Sequence, residues 1–162
     1  MVDIDTLSIV LTGIGLMIAI TYYTLTLRNA NKTREAQLFI QIYSRLTPEF
    51  MEAWEEIYSS KMETFEDFQE LYNREENPER YRRLMTVLTF YEGLGTLVKE
   101  GLVNIRSVSL MVGETTIQVW NVLRKVAPGL REEYGSDRVW SETEYLANRI
   151  EKYLGEYPDI HG

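Results

Sequence analysis

Residues 6–27 read TLSIVLTGIGLMIAITYYTLTL, a run without one charged side chain, and the rest of the fold follows from how it is interpreted. An α-helix rises about 1.5 Å per residue and needs about 20 apolar residues to cross about 30 Å of hydrocarbon. This segment therefore has the length of a membrane span. Tyr22 and Tyr23 stand near its C-terminal end, where amphipathic aromatic rings favour the headgroup layer. The flanks differ in sign: Asp3 and Asp5 precede it, and Arg28, Lys32 and Arg34 follow. Lys and Arg beside a span are retained on the cytoplasmic side. The expected arrangement is a single pass through the cell membrane, with residues 1–5 outside and everything after Leu27 in the cytoplasm. A cleaved signal peptide would begin with basic residues and end at small ones, whereas this start is acidic. A core helix of a soluble protein rarely runs this long without a charge.

One face of the span differs from the rest. Ser8, Thr12, Gly15, Ala19, Tyr22 and Thr26 recur at alternating four and three spacing, which keeps them on one seam of a helix. The same spacing continues through Asn29, Thr33, Ala36 and Ile40. Small and hydroxylated residues let membrane helices approach closely, with Gly15-x-x-x-Ala19 the tightest part. The expectation is a homo-oligomer. A ring of several copies would instead turn the same seam towards water as a pore. Gly is in any case frequent in membrane helices, so ordinary composition is the third reading.

After Leu27 the chain has the balance of a folded domain. Hydrophobic residues make up 44% of the 162 residues and charged residues 26%. About 130 residues remain beyond the span, enough for a core without disulfides or metal. There is no cysteine, so disulfides, thiolate metal sites and cysteine nucleophiles are excluded. The one histidine, His161, is penultimate, which excludes histidine-based triads and zinc sites. A net charge of −8 disfavours nucleic acid and keeps the domain off anionic headgroups.

The pattern is helical throughout, with no strand-like alternation. Residues 28–46 continue the anchor helix and carry the stripe Leu38, Phe39, Ile42, Tyr43 and Leu46. Residues 47–155 form the domain. Thr47-Pro48-Glu49 opens one helix and Thr64 caps another, with Asp67 at the capping-box position. Asn77-Pro78-Glu79 opens the longest, which stops at Gly101 and is apolar nearly all round, as a central helix would be. Gly93 and Gly95 would let a neighbour pack close to it. Asn104 caps a short helix ended by Gly113, a longer one starts at Thr115 and is broken at Pro128, and a last one runs from Ser141 to Tyr153. Residues 156–162 read as a flexible tail. The fold class is all-α: one transmembrane helix, then a compact bundle of about six or seven helices.

The run Phe90-Tyr91-Glu92-Gly93-Leu94-Gly95, then Val98-Lys99-Glu100-Gly101-Leu102-Val103, Trp120, Arg131, and Trp140 with Tyr145-Leu146-Ala147, resembles an uncharacterised prokaryotic family. Its members are single-pass, membrane-anchored helical proteins with a cytoplasmic domain of unknown function. The resemblance implies that architecture and no activity.

Chemistry-bearing residues are few. Glu92 lies among Phe90, Tyr91, Leu94, Leu97 and Val98, and a buried carboxylate requires a partner. Arg124 and Arg131 are the expected ones. The pair would either fix helix register or make Glu92 a ligand-sensing or proton-linked carboxylate. The acids Glu52, Glu55, Glu56, Glu63, Glu66, Asp67 and Glu70 read as solvated helix faces, not as a calcium loop. No phosphate-binding glycine motif follows a strand. Trp54 and Trp140 are candidate anchors for an unidentified protein partner. The functional expectation is a self-associating, membrane-anchored scaffold or sensor, with lipid as its other partner, no cofactor and no catalytic activity. The alternative is a homo-oligomeric channel with one pore-lining helix per subunit.

Overall fold

The computed structural model of the chain describes residues 3–158, and they contain seven helices and no strand. They are α1 (Ile4–Tyr43), α2 (Pro48–Ser59), α3 (Phe65–Leu71), α4 (Pro78–Lys99), α5 (Ile105–Leu123), α6 (Ala127–Tyr134) and α7 (Ser141–Glu156). The chain divides into two units, 1–41 and 42–162. The first is almost entirely α1, which runs unbroken from the apolar segment into the charged one, 40 residues and about 60 Å long. From Leu7 to Arg34 every residue is exposed, and no residue of the apolar window is buried. α1 is long and apolar enough to cross a membrane.

The second unit is a bundle in which each helix start has a chemical cause. At α2 the Thr47 hydroxyl accepts from the Phe50 amide at 3.3 Å, and Pro48 occupies the first turn, where it loses no hydrogen bond. At α3 the capping box is reciprocal. Thr64 accepts from the Asp67 amide, while the Asp67 carboxylate accepts from the amides of Glu63 and Thr64 at 2.9 Å. Those amide bonds favour the charged form and hold the Asp67 carboxyl below its usual value. At α4 Asn77 makes no side-chain cap; its amide donates to the Glu70 carbonyl instead. Gly101, at φ +67, turns the chain out of α4.

Two expectations are corrected here. No break falls at Gly113: α5 runs straight through it. A Cβ at Gly113 would lie 3.3 Å from Ile150 Cγ2. The glycine therefore serves close helix packing and its propensity cost, about 1 kcal/mol, is offset by what α7 buries against it. Nor is α4 apolar on all sides, since Thr86, Thr89, Gly93 and Thr96 face outward. α7 packs along both α4 and α5, and α2 packs against the same two helices. Gly95 makes the α7 contact possible from the α4 side, because a Cβ there would lie 2.2 Å from the Glu142 carbonyl oxygen. Gly93, with nothing within 4 Å, plays no such part.

In the core the side chains of Leu84, Val87, Leu88, Tyr91, Val119, Leu123, Leu146 and Ile150 are fully buried. Each aliphatic one contributes about 1.5–3 kcal/mol relative to exposure. Pro128 sits in the first turn of α6 rather than inside a longer helix, and Gly135 at φ +58 ends it. α7 continues to Glu156, beyond the expected Tyr153. His161 and the end of the expected tail lie outside the described residues, as do Met1 and Val2.

Candidate functional site

The two regions singled out in the sequence are the α1 seam and the surroundings of Glu92. On α1, Ser8, Thr12, Gly15, Ala19, Tyr22 and Thr26 are all exposed. Their hydroxyls are not idle. Thr12 Oγ1 donates to the Ser8 carbonyl and Thr26 Oγ1 to the Tyr22 carbonyl, each at 2.8 Å. Off the seam, Thr21 and Thr24 bond the carbonyl four residues earlier in the same way. Each threonine thus satisfies its donor within its own helix and keeps only acceptor capacity for a neighbour. Nothing lies within 4 Å of a Cβ built at Gly13 or Gly15. Arg28, Lys32 and Arg34 are exposed and form no ion pair among the described residues.

Glu92 finds a different partner from the one expected. Its Oε1 accepts from the Thr143 amide and from the Thr143 hydroxyl, both at 2.7 Å. No salt bridge joins it to Arg124 or Arg131 among the described residues. Arg131 pairs with Glu144 at 2.6 Å and donates to the Val139 carbonyl, while Arg124 is exposed at the end of α5. The reason lies at the start of α7. Its N-cap residue is Trp140, which has no oxygen to offer, and the cap makes no side-chain hydrogen bond. The amides of a helix's first turn need acceptors and present positive charge. Glu92, projecting from α4, supplies a carboxylate to that turn from 51 residues away. It is a cap borrowed from another helix. Beside it Lys99 donates to Glu142 at 2.8 Å, and that hydrogen bond holds the exposed ammonium above its usual value.

Two further polar contacts tie helices together. Thr115 of α5 is bonded from two sides: Trp54 Nε1 donates to its carbonyl at 3.3 Å, and the Tyr91 hydroxyl donates to its Oγ1 at 3.2 Å. Burial pushes Tyr91 up to about 12, since ionising it would place a charge in the core. Tyr72 is also raised to about 12, by burial and then by the nearby Glu56 carboxylate, with Arg80 over its ring opposing. The roles of Thr115 and Thr143 in joining helices are not legible in the sequence, because a threonine on a helix carries no local mark of a distant partner.

Two of the bundle's concavities have aromatic walls. An open groove of about 960 Å³ runs between α2 and α4 over Phe50, its rim balanced between Arg45, Arg82 and Arg83 and Glu49, Glu52 and Glu79. A smaller one, about 260 Å³, lies between α3, α4 and α6 and is walled by Trp140. Among the described residues no three acidic or histidine side chains converge as metal ligands would.

A long apolar helix joined to an all-α bundle with internal caps defines the class. The chain belongs to the family described as Domain of unknown function (DUF4760), which matches residues 9–150 and so takes in most of α1 together with the bundle. No curated protein and no solved structure matches it.

Proposed function

We propose that the protein is a membrane-tethered scaffold or sensor without catalytic activity, whose copies associate side by side through α1. The N-terminus lies outside the cell membrane, and the bundle meets a protein partner in the cytoplasm. The observation that carries this reading is the exposure of α1. Met17 is 72% exposed, Ile18 64% and Ile20 57%, a surface that only lipid or another helix would cover. The exposed apolar character continues along the seam past the basic residues, with Ile40 at 67% and Tyr43 at 64%. Within 1–41 three acids and three bases cancel, so the whole net charge of −8 belongs to the bundle. Such a body is repelled by anionic headgroups, which suits a domain held off the membrane. The internal hydrogen bonds of Thr12 and Thr26 leave close approach at Gly15 and Ala19 as the drive for association.

Single-cysteine variants test this cleanly, because the chain has no cysteine. Crosslinking should peak at positions 8, 12, 15 and 19 and fall away at 9, 13, 16 and 20. Equal crosslinking all round, or none, would leave a monomeric anchor. A Ser59→Cys variant in intact cells should resist a membrane-impermeant thiol reagent until lysis, and labelling from outside would reverse the orientation.

A further inference from the structure

We infer that the pocket between α3, α4 and α6 is a binding site for a small, neutral aromatic molecule carrying one hydrogen-bond acceptor. Its inner walls are Phe68, Leu84, Leu130 and Trp140, which are 6%, 1%, 4% and 9% exposed, so the cavity is a narrow cleft floored by core side chains. A cleft so narrow admits a small molecule and not a flat protein surface. The volume, about 260 Å³, is near the lower end of small-ligand pockets. Four aromatic side chains line it. Phe68 and Trp140 meet edge to face at 5.8 Å, an arrangement that a further ring extends favourably. At the rim stand Tyr81 and Tyr134, whose hydroxyls have no partner among the described residues and are available to donate to an acceptor. No charged residue lines the pocket, which selects against ionised ligands.

The backbone points the same way. Trp140 is the one non-glycine residue with positive φ among the described residues, at φ 57 and ψ 27. Left-handed geometry costs an L-residue stability, and such strain gathers at ligand clamps. Trp140 is also the residue at which α7 begins without a cap of its own, so an occupant would touch the turn that Glu92 secures. The pocket lies wholly within the bundle, and its occupancy is independent of whether α1 associates.

Benzophenone is a suitable probe: a neutral diaryl ketone whose carbonyl accepts hydrogen bonds and, when irradiated, inserts into nearby C–H bonds. About fourteen heavy atoms at ordinary ligand efficiency give a dissociation constant of about 1 mM. With full-length protein in lipid nanodiscs, insertion sites are mapped by mass spectrometry. Labelling of segments 68–85 and 130–140 should saturate near that concentration and be suppressed by excess acetophenone. Insertion into α1 from the lipid should rise without saturating. Val139→Trp, which fills the pocket from a half-buried wall, should reduce bundle labelling about tenfold. If that variant melts lower, acetophenone competition alone decides. Bundle labelling that rises linearly, maps elsewhere or resists competition would overturn the site.

Discussion

α1 and the bundle are built from the same materials and use them in opposite ways. Both are helical, both carry glycine and threonine at packing distances, and both are rich in Leu, Ile and Val. In the bundle those residues meet one another: Leu88, Leu123 and Ile150 are fully buried. In α1 they meet nothing, and residues 7–34 are exposed throughout. A helical apolar pattern thus specifies only that a face must leave water. The glycines make the contrast sharpest. Gly95 is already filled against by Glu142, whereas Gly13 and Gly15 stand open.

The largest expected effect comes from exchanging those situations. Gly95→Ala places a methyl on the Glu142 carbonyl oxygen, a backbone atom that cannot swing aside. Overpacking typically costs 1–3 kcal/mol, and here about 3 is expected, lowering the bundle's melting temperature by roughly 10 °C. Gly13→Ala, in open space, should leave the melting temperature unchanged. Equal effects at the two positions would erase the distinction between a filled glycine and an open one.

Next comes the cap. Glu92→Leu removes the acceptor for two buried donors of Thr143, a loss of about 1–3 kcal/mol. Thr143→Val removes only the hydroxyl bond and should cost less. In a double-mutant cycle Glu92 and Thr143 should couple, whereas Glu92 and Arg131 should be additive. Coupling between Glu92 and Arg131 would restore the ion pair expected from sequence.

That misassignment shows where the sequence ceases to be legible. The apolar run at 6–27, the caps at Thr47 and Thr64 and the stop at Gly101 are local signals, and the structure follows them. Glu92 was recognisable as a carboxylate in need of a partner, because burial of charge is a general cost. Its partner was not, because an uncapped helix start at Trp140 becomes visible only once α4 and α7 lie side by side. Gly113 misled for the same reason. A helical glycine ends a helix or admits a neighbour, and only the position of Ile150 decides which.

Alkaline titration probes the bundle's interior against ordinary solvent. Tyr72 and Tyr91 hold their protons to about 12 in the folded chain, above the usual 10. A raised value means that their contribution to stability is complete below pH 10 and is lost as pH rises towards 12. The helical signal should therefore be flat from neutrality to about pH 10 and then fall, with the absorbance of these two tyrosinates appearing only as the helix signal drops. Tyr91→Phe, which cannot ionise, should retain helicity to higher pH. Loss of helicity well below pH 10 would mean that other groups dominate.

The smallest effect is expected on the α1 seam, and it separates two ways in which small polar residues bring membrane helices together. One is close approach, for which Gly15 is suited because it has no side chain. The other is hydrogen bonding between hydroxyls of adjacent helices, worth about 0.6 kcal/mol per bond. Thr26 already donates to the Tyr22 carbonyl and Thr12 to the Ser8 carbonyl, so neither has a donor left for a neighbour. Valine preserves the shape of threonine and removes the hydroxyl. Thr26→Val should therefore change the association constant of the full-length protein by less than about threefold. Gly15→Leu, which forces the backbones apart, should abolish crosslinking at position 19 in a single-cysteine background. A large loss from Thr26→Val would mean that the hydroxyl leaves its own helix on assembly. A harmless Gly15→Leu would mean that the copies do not meet along this face.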